Sequence, residues 1–497
     1  MRQHTIPEWA IDAKFGIYAH WGPYSQTGAW EDNPTINWGN YYITAYRGIY
    51  DPDPEEARRK TFEKRYGSIT EGYGYRDLCR DFTASAFDPV AWADLIERSG
   101  AKYAGICAIH HDGYAMWESD VTPHCAGTTG PERDLLGEML QEIEKRGLKT
   151  IATFHHARTY EHFQGLSKHL LQEHIEGVDI LDSSNYDYYW FLGTQERFED
   201  NRYRLTKEVI DKYKPDILWF DGGGGKYGTE KILSDFFNMA IEEDKEVCVH
   251  NKGNFGKNFG VYSYENGANR PMFVDWPWED DTPSAVGWCD WPWWYGIEYK
   301  KPRDVVVRLC DLVARNGGLL LSMNPRPDGS FDEDQVALLE GIGGWLKQNG
   351  EAIYGTRPWK IHAEGHTEST AYSQVHPETN KESRKIQPDP TVFDWTDFRF
   401  TTRENTLYAI ELGIPPGKAV VIKSLGSGIK VSDLNKITAV ELIGYGKVKF
   451  KRTKEGLKIH LPGKLPNHWA LAFKIEVAGT LENVPLLGEN EIIPMKT

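Results

Sequence analysis

The sequence has no paired cysteines. Its six, at positions 79, 107, 125, 248, 289 and 310, include no C-x-x-C and no spacing that suggests a zinc finger or a disulfide framework. The thiols are therefore expected to be buried, in a fold that does not depend on them. Positive charge is in deficit: 57 Lys and Arg against 73 Asp and Glu give a formal charge of −16, which argues against a nucleic-acid backbone or an anionic membrane as partner. No apolar stretch approaches the ~20 residues that a membrane-spanning helix requires. The start, Met1-Arg-Gln-His-Thr-Ile-Pro-Glu-Trp9, has no apolar core of a secretory signal. A cytoplasmic location is expected unless a leader has been removed, in which case a periplasmic or extracellular one follows. No Asn-x-Ser/Thr acceptor occurs with a permitted middle residue. A P-loop is missing too: Gly222-Gly-Gly-Gly225 has neither the P-loop spacing nor its Lys-Ser/Thr.

What the chain has in quantity is aromatic surface, 13% of residues with 18 Trp among them. Over the first ~350 residues short apolar runs alternate with amphipathic segments, the pattern of β/α units around a parallel sheet. Strands are predicted at Phe15–Trp21, Tyr103–Ile109, Thr150–Phe154, Ile217–Phe220, Val247–Asn251 and Leu319–Ser322. Each is uniformly apolar, as expected where both faces are covered. Between them, Asp88-Pro89 supplies an N-cap and a first-turn proline for a helix that Gly100 stops. Asp134–Arg146 carries Leu136, Met139, Leu140 and Ile143 on one side and ends at Gly147. Further helices are predicted at Tyr203–Tyr213, Thr229–Glu242, Asp304–Val313 and Glu333–Gln348. Seven or eight such units suit a (β/α)8 barrel, assigned to residues 1–355. After Tyr354-Gly-Thr-Arg-Pro-Trp359 short alternating strands near 420, 438, 448, 457 and 470 point to an antiparallel β-sandwich over 356–497. The stretch Glu364–Thr391 reads as a polar, irregular surface excursion.

In a barrel of this kind the chemistry sits where strands end. Five predicted strands end in polar groups: His20-Trp21, His110-His111-Asp112, His155-His156, Trp219-Phe-Asp221 and His250-Asn-Lys252. One such ending fits a hydrogen-bonded structural histidine as well as a ligand. Five converging on one mouth define a pocket. Asp221 emerges from an apolar strand and is separated by glycines from the next helix, so it suits a substrate better than a helix cap. It is a candidate nucleophile at an anomeric carbon if a second carboxyl group lies about 5 Å away. Glu265 is the first candidate for that partner and Glu279 its rival; either fits a solvated loop glutamate equally well. Six tryptophans (276, 278, 288, 291, 293 and 294) crowd a Pro- and Gly-rich segment. Their indoles suit the apolar faces of sugar rings, or else packing between barrel and sandwich. Histidines bond hydroxyls without fixed charge, so a neutral sugar fits better than a phosphate.

These residues resemble glycoside hydrolase family 29, the α-L-fucosidase family. The matching motifs are Ala13–Gly22, Phe87–Asp94, Gly100–Tyr103, His110-His-Asp-Gly-Tyr114 with Trp117, and Arg133-Asp-Leu135. Pro215–Gly222, Asn316–Leu321 and Asn349–Trp359 follow in the family's order across roughly the first 360 residues. The resemblance implies a retaining exo-glycosidase with Asp221 as nucleophile, Glu265 as acid/base, and His20, His110, His111 and Trp219 holding sugar hydroxyls. Trp38, His155, Lys252 and Trp288 complete the candidate sugar contacts. The implied partner is an oligosaccharide or polysaccharide, and no metal or organic cofactor is implied.

Departures from the family pattern fall in the pocket. Ile109 stands where members often carry Lys, and Thr153-Phe-His-His156 replaces Tyr-Tyr-Ser. His250-Asn-Lys252 replaces Asn-Asp-Arg, and Asn37-Trp38-Gly39 replaces Glu-Trp-Tyr. L-galactose differs from L-fucose by one hydroxyl, against which an apolar site discriminates only ~100-fold, so an exo-α-L-galactosidase is the near alternative. A metal-dependent hydrolase is disfavoured because adjacent histidines on a strand point to opposite faces. A non-catalytic sugar-binding barrel would follow if Glu265 pointed away from Asp221.

Overall fold

The computed structural model describes residues 5–29, 49–50, 57–222, 226–252, 260–266, 276–287, 290–367, 372–375, 382–386, 392–428, 436–479 and 481. Eight parallel strands close into a barrel: β1 (Phe15–Ala19), β2 (Tyr103–Ile109), β3 (Lys149–Phe154), β4 (Ile217–Phe220), β5 (Cys248–Asn251), β6 (Val261–Glu265), β7 (Trp278–Pro283) and β8 (Gly317–Met323). Each pairs with the next, and β8 returns to β1 with Phe15 opposite Leu319 and Ala19 opposite Met323. Tyr18, Tyr103, Cys107, Ile151, Ile217, Trp219, Cys248 and Leu320 fill the interior.

Local chemistry explains the helices. The Asp88 carboxylate accepts from the backbone N–H of Val90 and Ala91, Pro89 opens the Pro89–Ser99 helix, and Gly100 ends it at φ 88°. Asp134 caps Leu135–Lys145 through Gly137 N–H, and Leu136, Met139, Leu140 and Ile143 are buried on its inner face. The helix expected from Tyr203 begins at Gln195, where the Thr194 hydroxyl accepts from Arg197 N–H. Its first turns are mostly polar and show little apolar period. Among the described residues no helix is long and apolar enough to cross a membrane.

Two barrel strands break the uniformly apolar pattern. β6 reads VYSYE and β7 reads WEDDTP, and the segment around β7 had the composition of a loop. All six residues of β7 are nevertheless buried. A carboxylate can enter a sheet interior only with partners, and β7 finds them on other elements. Glu279 meets Tyr103 and His250, Asp281 meets Tyr18, and Asp280, on the outer face, meets Arg308.

Beyond the barrel lie β9 (Arg357–Glu364), β10 (Tyr372–Val375), β11 (Glu382–Ile386), β12 (Phe398–Arg403), β13 (Thr406–Glu411), β14 (Ala419–Ile422), β15 (Ile437–Leu442), β16 (Gly446–Lys447), β17 (Phe450–Arg452), β18 (Leu457–His460) and β19 (Leu471–Val477). A six-stranded sheet in the order β16-β15-β19-β13-β12-β9 faces a three-stranded one, β14-β18-β17. The excursion expected over 364–391 is not wholly irregular, because β10 and β11 pair antiparallel within it. Strand alternation makes the six-stranded sheet two-sided. From β13, Leu407 and Ala409 enter the sandwich core, while Tyr408 and Ile410 join the core of the barrel and its helices.

That second face is held by buried charge. On the Pro302–Ala314 helix, Asp311 accepts from Arg399 Nε of β12 at 2.6 Å and also pairs with Arg315. All three side chains are almost fully buried. Asp311→Asn would leave two buried guanidinium groups short of their shared anion. It is expected to cost about 3–5 kcal/mol of stability in urea denaturation, with no change at the barrel mouth.

Candidate active site

The barrel's hydrogen-bond ladder continues one residue past several strands. His20 N–H donates to Met323 O (3.2 Å), His155 N–H to Ile109 O (2.9 Å), and Asp221 N–H to Phe154 O (3.0 Å). This sets His20, His155 and Asp221 at one level around the mouth. His110 joins them, its ring centroid 4.5 Å from that of His155, 5.3 Å from His20 and 4.7 Å from His111. His20 is fixed by Ser322 Oγ, 2.7 Å from its Nδ1, and its ring packs on Trp291 at 4.8 Å. Strand alternation holds for His155 and His156, since His156 turns away to Thr206 Oγ1 at 3.1 Å. It fails for His110 and His111, whose rings face the same side in the turn after β2. Burial drives His20 and His110 well below the usual imidazole range, lowers His111, and brings His155 down to about 4. The cluster is therefore neutral at neutral pH, with one donor and one acceptor per ring.

Beside it stand three carboxyl groups around one ammonium. Lys252 Nζ lies 2.9 Å from Asp221 Oδ1, 3.2 Å from Glu265 Oε2 and 3.8 Å from Asp281 Oδ2. Asp221 also meets His111 Nε2 at 3.3 Å and His155 Nδ1 at 3.8 Å. Burial alone would raise the Asp221 carboxyl, but Lys252, His111 and His155 together hold it well below the usual carboxylate range. Burial would likewise lower the Lys252 ammonium, and the surrounding carboxylates outweigh it and raise it. Asp281 goes the other way. Burial lifts it well above the carboxylate range despite Lys252 and the Tyr18 hydroxyl, which donates to its Oδ1 at 2.8 Å. Asp281 and Tyr18 were not foreseen from the sequence. An Asp two residues into a supposed loop, and a Tyr two before a strand-end His, acquire meaning only once β7 is known to be a strand.

Glu279 and Glu265 separate clearly. Glu279, second in β7, lies deep in the barrel and accepts from Tyr103 OH (2.8 Å), Trp219 Nε1 (3.1 Å) and His250 Nδ1 (3.0 Å). Glu265, last in β6, sits at the mouth on Lys252 beside Asp221, so it does not point away from the candidate nucleophile. Trp219 connects the two levels. Its Nε1 is held by Glu279, and its ring stacks near His155 (4.9 Å) and under Lys252 Nζ (5.2 Å). His250 is part of the floor, not the mouth.

The tryptophan-rich segment divides. Trp278 belongs to β7 and donates to Arg315 O at the far end of the barrel, so its role is packing. Trp291 reaches the histidine cluster, and Trp293 donates to Asp332. Trp38 and Trp288 lie outside the described residues.

The floor pair has a testable pH signature. Burial pushes His250 down, but the Glu279 carboxylate more than compensates and brings it up to about 10. An imidazolium raised above its free value near 6.5 contributes stability that is fully present below that pH and is lost as pH rises through 10. Glu279→Gln removes the counterion. The urea midpoint of the wild type should exceed that of the variant most at pH 6 and approach it at pH 10; an equal gap at both would show that the pair is not charged.

Comparison with known proteins agrees with this geometry. The family model described as Alpha-L-fucosidase matches residues 1–351, and that of the Alpha-L-fucosidase C-terminal domain matches 394–476. The tissue alpha-L-fucosidase of Rattus norvegicus is 26% identical over 491 residues, covering 96% of this chain and 89% of that protein. That of Homo sapiens is 27% identical over 382 residues, 74% of this chain and 73% of that one. The crystal structure of Thermotoga maritima alpha-fucosidase in complex with fucose superposes with a TM-score of 0.70 at 25% identity, covering 95% of this chain and 97% of that one. A barrel of eight parallel strands with an antiparallel sandwich, carboxylates gathered at its mouth and both family models matched in order place this chain in the α-L-fucosidase family of glycoside hydrolases.

Proposed function

We propose that the chain is a retaining exo-glycosidase that releases terminal α-L-fucose from glycans, with Asp221 as nucleophile and Glu265 as acid/base. The observation that carries this reading is the shared ammonium. Because Lys252 Nζ touches both carboxylates, their nearest oxygens are at most roughly 6 Å apart, short of the ~6.5–9.5 Å of inverting enzymes and compatible with the ~5–5.5 Å of retaining ones. The fucosidase relatives and the fucose-bound Thermotoga maritima structure support the choice of sugar.

In the first step an Asp221 oxygen forms a bond to C1 as the glycosidic C1–O bond breaks, and Glu265 gives its proton to the departing oxygen. In the second, Glu265 takes a proton from water, whose oxygen attacks C1 and releases the Asp221 carboxylate. Lys252 keeps Asp221 ionised for attack. Protonating Glu265 does not strand the partly buried ammonium, which retains the Asp221 carboxylate as partner. The neutral imidazoles of His20, His110, His111 and His155 suit the hydroxyls of an uncharged sugar, and Trp219 offers an indole edge beside them.

Asp221→Gly should lower turnover of an aryl α-L-fucoside by ~10³-fold or more while the protein stays folded. Added azide should restore activity with an inverted fucosyl azide as product. Wild-type rates in that variant would remove Asp221 from the mechanism. Glu265→Ala should lose ~10²–10⁴-fold on substrates with poor leaving groups and far less on activated aryl fucosides; equal losses on both would assign the acid elsewhere. On paired substrates the aryl α-L-galactoside is expected to react ~100-fold more slowly than the fucoside, and a reversed ratio would make the protein an α-L-galactosidase.

A further inference from the structure

We propose that this pocket is also a site for a borderline transition-metal ion, Zn²⁺ in the first instance, held by His20, Cys107 and His155, and that the ion and the sugar exclude one another. Only the exclusion rests on the sugar reading above.

The donor atoms of the three residues all lie within 4.8 Å of one another. Cys107 comes from the middle of β2 and points into the barrel, with its Sγ 3.5 Å from His155 Nε2. Tetrahedral zinc places its sulfur and nitrogen donors roughly 3.4–3.7 Å apart, so that pair already has the right separation. His20, with its donor atom within 4.8 Å of both, completes the set. The second nitrogen of each imidazole faces an oxygen: Nδ1 of His20 is 2.7 Å from Ser322 Oγ, and Nδ1 of His155 is 3.8 Å from the Asp221 carboxylate. Oxygen partners on the distal nitrogen orient metal-binding histidines and fix their tautomer. One thiolate and two imidazoles suit Zn²⁺ and Co²⁺, whereas an oxygen-seeking ion such as Mg²⁺ finds no matching set here.

His110, His111 and His155 form a second close triad that shares His155 but has no sulfur. Cys107 distinguishes the two, and it has no part in the proposed sugar chemistry. Binding exchanges the Cys107 S–H bond for an S–metal bond and releases the proton to solvent; nothing is oxidised or reduced. The ion would occupy His20 and His155, both assigned to the sugar, so either ligand displaces the other.

Co²⁺ is the probe. Added to the purified wild type, it should produce a thiolate-to-cobalt charge-transfer absorption saturating at one ion per chain, and Zn²⁺ should abolish that band by displacement. Zn²⁺ should inhibit aryl α-L-fucoside turnover competitively, and free L-fucose should slow cobalt binding. Cys107→Ala should keep wild-type turnover, lose the band, and need at least ~10-fold more Zn²⁺ for half-inhibition. Cys107→Ser, closer in volume, serves the same comparison if the alanine variant folds poorly. No band in the wild type, or equal zinc sensitivity in wild type and variant, overturns the site. A band with turnover untouched by Zn²⁺ overturns the exclusion. A protein inactive on fucosides that still shows the band refutes the sugar reading and leaves the metal site supported.

Discussion

A partly buried lysine ammonium, held between the carboxylates of Asp221 and Glu265 with the Asp281 carboxyl beside it, organises the mouth of this barrel. Lys252 stands at the end of β5, Asp221 at the end of β4, Glu265 at the end of β6, and Asp281 inside β7. None of these charges would be stable alone in an almost dry interior. Together they fix one another: the ammonium ionises Asp221, and Tyr18 steadies Asp281 from the opposite wall. Four neighbouring strands thus converge on one point, and the barrel's closure and the site's charge balance are coupled.

A second charge centre lies one layer lower. Glu279 and His250 form an ion pair that also captures Tyr103 and the Trp219 N–H. Because Trp219 rises from this layer to touch His155 and Lys252, the floor positions the mouth. The polar residues inside the barrel form a stack in two levels with an indole between them. On the outer side Asp280 pairs with Arg308, and on the same helix Asp311 binds Arg399 of the sandwich. Charged contacts therefore run from the centre of the barrel to the accessory domain, although each pair is local.

How much of this was legible in the sequence depends on how each residue is held. Apolar strands and capped helices, such as Ile217–Phe220 or the segment opened by Asp88-Pro89, are local features and could be read from period and caps. β6 and β7 could not, because their polar residues look like loop until partners at Tyr18, Tyr103, His250 and Arg308 are brought beside them. For the same reason Glu265 came first as a candidate without displacing Glu279 as its rival. Both are glutamates in one stretch of chain, and only their depth in the barrel tells floor from mouth. Both histidine pairs lie just past their strands, β2 ending at Ile109 and β3 at Phe154; His155 and His156 diverge, whereas His110 and His111 face the same side.

Local pattern in the chain was enough to specify a (β/α)8 barrel followed by antiparallel strands, a family resemblance carried by ordered motifs, and an aspartate delivered by an apolar strand to a barrel mouth. Those follow from short-range pattern, and short-range pattern survives without coordinates. Tertiary structure alone decided that acidic β7 is a strand, that Lys252 joins three carboxyl groups, that Glu279 belongs to the floor, and that a cysteine sits beside the histidine cluster. Each of these depends on charges and donors brought together across tens to hundreds of residues, where the free energy of a buried group is set by its neighbours in space and not in sequence.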